Sequence, residues 1–290
     1  MNEELEQLSD EARISLRTLW IDDFYYQFNY RFLQQLDSLV RLRLDNIVSP
    51  SGIGFPCIPS LRILELFGHY SHPIHRRLPA GLLKCVSTQV PGLKSLTLRQ
   101  VSFLTNTPSP FGGHMPALKY LRLQNLNTSP YWVENALRFC PNLTSLVLEV
   151  ASSSVVPGCV WFEVFEFPQM CSLKHIEIAN YDIGQRFPIL SDRTIESLQR
   201  LATLHTLCLI NINWSHGRGV RSTLKLTEIV HSLSCTLQVI VDSRKLRSAE
   251  RNPCNAAVLC KPGDSLRTVC AALRAFVAHT VCLRMESRTW

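Results

Sequence analysis

No uninterrupted apolar run in this chain approaches the roughly 20 residues that a membrane-spanning helix needs. The opening segment, Met1 to Asp10, is acidic and has no apolar core, so it does not read as a secretory leader. The expected address is the cytoplasm or the nucleus. Catalytic signatures are missing as well. There is no G-x-S-x-G elbow, no phosphate-cradling G-x-x-x-x-G-K-[ST] and no H-E-x-x-H helix. The glycine loop His216-Gly-Arg-Gly219 lacks the strand-to-helix setting that would make it a phosphate site. The chain is therefore expected not to be an enzyme, and no cofactor is expected.

Paired short cysteine knuckles, which make a zinc signal strong, are absent too. Cys254, Cys260, Cys270, His279 and Cys282 are spaced too irregularly for one and read as scattered thiols. His69, His72 and His75 place three imidazoles in a short run, but Pro73 interrupts any helix that would align them. That run reads as a polar connection, and no metal site is expected. The 11 cysteines are an odd number with no leader before them, as in a reducing compartment where thiols serve as small buried hydrophobes. The triplets Asn142-Leu-Thr144 and Asn213-Trp-Ser215 then read as chance matches to a glycosylation site.

Charge is nearly balanced over most of the length. Of 30 basic and 23 acidic side chains, nine and three lie in residues 243–290, leaving 21 and 20 in residues 1–242. The net +7 is thus mostly a property of the last 48 residues (243–290). Binding of nucleic acid or an anionic surface through that segment, with its run Arg244, Lys245, Arg247 and Arg251, is the alternative function. The run lacks interleaved aromatics and reads as a solvated face.

What is present in quantity is leucine at fixed spacing. The pattern L-x-x-L-x-L, with isoleucine in some seats, begins at Leu16, Leu39, Leu61, Leu93, Leu118, Leu143, Leu173 and Leu204, with a degraded copy at Leu237. The copies are 22 to 33 residues apart. A period in this range marks an array of units that bury apolar faces against one another. Each signature reads as a strand with its first, fourth and sixth residues inward and those between outward. Several linkers have helical spacing: Asp192 to Leu201, the stripe Leu226, Ile229, Val230 and Leu233, and Tyr131 to Leu137 behind Ser129-Pro130. Prolines at 59, 91, 116 and 141 precede four signatures and predict that the chain leaves a helix there and extends into a strand.

These features predict an α/β fold. It is a leucine-rich-repeat solenoid, a curved horseshoe with parallel strands on its concave face and helices or irregular segments on its convex face. Residues 1–13 form a lead-in, 14–242 the solenoid of about eight to nine irregular units, and 243–290 a basic, cysteine-bearing segment, partly ordered or a cap. The stretch from Phe103 to Gly113 reads as a loop. The aromatic run Val160 to Phe167 reads as core, with an exposed docking patch as the alternative.

The signatures resemble leucine-rich repeat proteins. The phrase Phe139-Cys-Pro-Asn-Leu143-Thr-Ser-Leu146-Val-Leu148 and the uneven spacing resemble the repeat regions of F-box/leucine-rich repeat proteins. That resemblance implies substrate recognition in a ubiquitin-ligase pathway. It also implies a cullin-ligase adaptor as a partner if an F-box is missing from this chain, since none precedes the signature at Leu16. The consensus asparagine seat holds Ile47, Val101, Leu126 and Ile212, with Asn46, Asn125 and Asn211 one residue earlier. The turn's backbone groups must then find other partners.

The function expected is a non-catalytic protein–protein interaction scaffold with a protein partner of unknown identity; membrane is excluded and nucleic acid is not expected. The outward strand positions are its candidate binding residues: Trp20, Arg41, Arg43, Glu65, Phe67, Arg99, Tyr120, Arg122, Glu149, His175 and Glu177. Tyr, Trp and Arg are the side chains that most often carry interface energy.

Overall fold

The same tight turn precedes six of the signatures. The N–H of the first leucine donates to the carbonyl three residues back, at Leu39→Leu36, Leu61→Ile58, Leu93→Val90, Leu118→Met115, Leu143→Cys140 and Leu204→Leu201, with lengths between 2.9 and 3.2 Å. In four of these the second residue is Pro59, Pro91, Pro116 or Pro141. This refines the expectation for the prolines. Their fixed φ suits the second position of a β-turn, so they set a turn closed by the following leucine rather than simply ending a helix.

The computed structural model describes residues 9–22, 32–45, 55–68, 80–99, 111–126, 130–150, 166–168, 170–179, 190–210, 212, 236–242, 255–260 and 271. Several expectations fall outside them: the histidines at 69, 72 and 75, the stripe from Leu226 to Leu233, the loop at 216–219, the run Arg244 to Arg251 and most of the aromatic run at 160–165. So do Asn46, Ile47, Val101 and Asn211, and the thiols and imidazole at 254, 270, 279 and 282.

The chain divides into two compact units, Met1–Thr144 and Ser145–Trp290. In the first, α1 (Asp10–Ser15) leads into β1 (Thr18–Ile21), β2 (Arg41–Leu44), β3 (Ile63–Phe67), β4 (Ser95–Arg99) and β5 (Tyr120–Leu126). A single 3-10 turn spans Phe32–Gln35, α2 is Ala80–Gln89 and α3 is Pro130–Arg138. The five strands lie side by side in chain order, each parallel to the next. The second unit contains β6 (Ser145–Val150), β7 (His175–Ala179), α4 (Asp192–Gln199), β8 (Thr206–Ile210), β9 (Thr236–Asp242) and β10 (Asn255–Cys260). Strands β6 to β9 are parallel and in chain order, and β10 returns antiparallel to β9. The protein is thus α/β, with open sheets of mainly parallel strands.

Register explains why leucine recurs. Leu19, Leu42, Leu64, Leu96 and Leu121 are paired across β1 to β5, and Ile21, Leu44, Leu66, Leu98 and Leu123 form a second column two residues on. All ten are buried. Leu146, Ile176 and Leu207, then Leu148, Ile178 and Leu209, repeat the arrangement in the second unit, and β9 continues the register with Leu237 opposite Leu207 and Val239 opposite Leu209. A strand alternates its side chains between two faces, so spacing of two puts both columns on one face.

The helices add their own buried stripes. Leu82, Leu83 and Val86 of α2, Trp132, Val133, Ala136 and Leu137 of α3, and Ile195 and Leu198 of α4 are all buried. Pro130 opens α3 where its missing N–H is not needed, and Arg138 closes it where a cation suits the carbonyl end. Ser191 caps α4, its hydroxyl accepting the Thr194 N–H at 3.1 Å. Among the described residues no helix is long and apolar enough to cross a membrane.

Two helical serines tie neighbouring segments together. Ser87 Oγ donates to Lys84 O at 2.8 Å and accepts the Gly112 N–H at 2.9 Å. Ser197 Oγ, fully buried, donates to Thr194 O at 2.7 Å and accepts the Phe167 N–H at 2.9 Å. Phe167, the last residue of the aromatic run, is itself buried. Gly112 allows the close approach, since a Cβ there would lie 2.5 Å from Lys84 Cγ and 3.0 Å from Lys84 O.

The residue just before a signature bonds back to the start of the neighbouring one. Ser60 Oγ donates to Leu39 O at 2.8 Å, Thr203 Oγ1 to Leu173 O at 2.9 Å, and Asn142 Nδ2 to Pro116 O at 3.0 Å. Asn142, in one of the glycosylation-like triplets, thus serves the framework.

Candidate functional site

On the face opposite the leucine columns, the first unit's strands carry three cross-strand ranks. The middle rank runs Trp20, Arg43, Glu65, Thr97 and Arg122. The rank on its N-terminal side runs Thr18, Arg41, Ile63, Ser95 and Tyr120, and the other side contains Phe67, Arg99 and Gln124. Strands lie about 4.8 Å apart, so neighbours within a rank are in reach of one another.

Arg43 is the centre of the most organised cluster. Its guanidinium carbon lies 4.3 Å from the Trp20 ring centroid and 4.4 Å from that of Phe67, so two aromatic rings share one cation. Asp45 fixes it: Arg43 Nε donates to Oδ1 at 2.9 Å and Nη2 to Oδ2 at 2.9 Å. The hydrogen bonds to Asp45 are also the main reason that Arg43 holds its proton even more firmly than a free arginine. The same carboxylate accepts the Trp20 indole N–H at 2.8 Å. Asp45 is 8% exposed, and Trp20 is 60% exposed, so a covered acid anchors an uncovered indole.

Beside this, Arg41 makes a forked pair with Glu65, with Nε at 3.3 Å from Oε2 and Nη2 at 3.1 and 3.0 Å from the two oxygens. Arg99 lies over the other part of the Phe67 neighbourhood, 5.7 Å from the ring centroid. Thr97 is nearly buried in its position between Glu65 and Arg122. Arg122 differs from the other arginines: its Nε is buried and has no hydrogen-bond partner.

The candidate residues from Trp20 to Arg122 therefore lie on one face of one unit; Trp20, Arg43, Phe67 and Arg99 form one cluster, and Arg41 and Glu65 form a separate pair beside it. Glu149, His175 and Glu177 belong to the second unit. Glu149 and Glu177 are half-buried on β6 and β7, and His175 is exposed beside Ser145 in register. Glu177 pairs in register with Cys208, whose thiol is pushed up to about 11, chiefly by burial and secondarily by that glutamate. Among the described residues, no group of His, Cys, Asp or Glu side chains is arranged to hold a metal ion.

The sequence matches no protein-family model, and comparison with curated proteins returns no match. What the site does must be argued from its own chemistry.

Two features escaped the sequence reading. Asp45 follows the last leucine of its signature and so is not one of the outward positions counted inside it, yet it organises Trp20 and Arg43. The alternation continues one step beyond the signature, and that was the available signal. The second feature is the residue just after each first leucine. Arg17, Val40, Arg62, Lys94 and Lys119 follow one another in a backbone ladder: each of the first four carbonyls accepts the next member's N–H, at 2.8 to 2.9 Å. Counting within single signatures does not show that these residues follow one another across the strands.

Proposed function

We propose that this protein is a non-catalytic interaction scaffold of the leucine-rich repeat class. In this reading the strands line the concave side of a curved solenoid, helices and irregular segments form the convex side, and a protein partner docks on the outward strand residues. The observation that carries it is the Trp20–Arg43–Phe67 stack. An exposed indole and a guanidinium are held in fixed rotamers by a covered carboxylate, on a rigid sheet rather than a loop. Aromatic and arginine side chains organised before binding lose less entropy on docking and are the usual energetic centres of interfaces.

The resemblance of the Phe139 to Leu148 phrase to F-box/leucine-rich repeat proteins extends this proposal to substrate recognition in a ubiquitin-ligase pathway, in the cytoplasm or nucleus. Co-purification of the natural full-length product with a cullin-ligase adaptor tests that extension; failure to co-purify ends it.

The scaffold reading is tested by photo-crosslinking in cells. A photoreactive residue is placed at Thr18 or Ser95 on the outward face, or at the exposed positions Lys84 and Glu196 of the helices. Defined adducts are expected from the strand positions alone, lost on the double charge reversal Arg41→Glu and Arg43→Glu. Adducts from the helix positions only, or none from the strands, overturn the reading.

A further inference from the structure

The near-neutral balance of residues 1–242 conceals a strongly one-sided surface. In the ladder that enters β1 to β5, Arg17, Arg62, Lys94 and Lys119 are basic and none is acidic. The outward ranks add Arg41, Arg43, Arg99 and Arg122 against Asp22, Asp45 and Glu65. Among the described residues, the outward ranks of the first unit and the ladder at their N-terminal edge together hold eight basic residues and three acidic ones, and Glu65 and Asp45 are paired with Arg41 and Arg43. The corresponding positions of β6 to β8 show no such bias, with Lys174 set against Glu149 and Glu177.

Architecture does not call for this arrangement. Arg62, Lys94 and Lys119 enter three consecutive strands, where like charges side by side are destabilising. Lys94 and Lys119 are exposed and form no ion pair with a described residue. Arg62 has a framework role as well, its Nη1 donating to Pro59 O at 2.7 Å and Leu61 O at 3.0 Å. Arg122 adds a second unfavourable element, since a buried N–H left without an acceptor weakens the fold. Lys94 and Lys119, exposed side by side at the entry to a rigid sheet and close to Arg122, are arranged for an anion that comes from outside.

We propose that this face of the first unit binds an extended, carboxylate-rich polypeptide segment, with Lys94, Lys119 and Arg122 as its principal anchors. The proposal rests on the scaffold reading above and names the partner's chemistry. Carboxylates suit the site better than a nucleic-acid strand for two reasons. Single strands are held by stacking bases on open aromatic faces, but Trp20 and Phe67 already share Arg43 between them. Also, Asp22, Asp45 and Glu65 stand within the face, where a continuous phosphate backbone would meet them. A peptide can place its acids beside the cations and its neutral residues elsewhere.

The test uses the full chain and a labelled alternating Glu-Ser peptide, with a Lys-Ser peptide and an oligothymidine of equal charge as comparisons, read by fluorescence anisotropy. The Glu-Ser peptide is expected to bind best, with affinity falling as salt rises. The double variant Lys94→Glu, Lys119→Glu should weaken it by at least about tenfold and Arg122→Gln by several fold, the scale of losing charge-assisted contacts. Lys174→Glu in the second unit should leave it unchanged. Circular dichroism melts confirm folding, and Lys119→Gln alone replaces the double variant if that fails to fold. No binding of the Glu-Ser peptide, equal binding by the variants, or tighter binding of oligothymidine overturns the proposal. If the peptide fails while strand-face crosslinks persist, only the acidic chemistry falls; if the crosslinks also vanish, the scaffold reading falls with it.

Discussion

The indole N–H of Trp20 donates to Asp45 Oδ2 at 2.8 Å, across the boundary between two adjacent parallel strands. One carboxylate thereby holds an exposed ring in place while it neutralises a neighbouring arginine.

Replacing Asp45 with alanine should therefore reach further than a typical surface change. It leaves Arg43 without its fork and Trp20 without its acceptor, and the expected loss is about 1–3 kcal/mol. Glu65→Ala removes a pair whose arginine is largely exposed and should cost less than about 1 kcal/mol. Urea denaturation of both variants checks the order. In a two-dimensional NMR spectrum the Trp20 indole N–H of Asp45→Ala should also shift and exchange faster.

Ser197→Ala should be destabilising by about 1–3 kcal/mol, because it strands the buried Phe167 N–H, and Ser87→Ala by less, about 1 kcal/mol, because water can reach the exposed Gly112. Native-state hydrogen exchange at those two amides reports the loss directly. Gly112→Ala should be destabilising as well, through the contact with Lys84. If Ser197→Ala exchanges at Phe167 no faster than wild type, the bond does not hold that segment.

Thiol labelling under native conditions should be selective. Burial pushes the Cys140 thiol up to about 12 and the Cys208 thiol up to about 11, and the thiolate is the reactive form. Cys57 and Cys171 are exposed. With iodoacetamide near neutral pH, mass spectrometry should find Cys57 and Cys171 modified well before Cys140 and Cys208, which stay protected until the chain unfolds.

Acid should weaken the second unit through Glu166. This carboxylate accepts from Arg200 Nη2, and from Arg193 Nε at 3.0 Å and Nη2 at 2.7 Å. The bonds from Arg200 and then Arg193 hold its carboxyl below the usual carboxylate range. A depressed folded-state value means the contribution is complete above the unfolded value of about 4.3 and is lost as pH falls through the folded one. The melting temperatures of wild type and Glu166→Gln should therefore differ at neutral pH and converge in acid. A constant difference over that range would show that the arginines do not favour the ionised form.

The strand positions were legible because leucine at the first, fourth and sixth seats is a pattern that burial on one face demands. Even the degraded copy at Leu237 lies in β9, paired with Leu207. The candidate arginines and aromatics followed from the same register. What could not be read was anything decided between signatures. The ladder of Arg17, Arg62, Lys94 and Lys119 depends on strands aligning despite spacings that vary between 22 and 32 residues. The acceptors Ser87 and Ser197 lie on helices, and their donors come from segments 25 and 30 residues away. Strand β10 has no leucine signature at all, since its pairing is antiparallel and needs none.

That last strand alters how the basic C-terminal segment should be handled in experiments. Residues 243–290 include Asn255–Cys260, whose backbone occupies the hydrogen-bonding edge of β9. Cutting the chain at Ser243 would subtract positive charge, but it would also bare a seven-residue strand edge rich in valine, leucine and isoleucine. Such an edge invites pairing with another chain. A truncated protein that self-associates would be displaying an uncapped sheet, whatever the lost arginines and lysines do. Neutralising the charges one by one, with β10 left in place, separates the two effects.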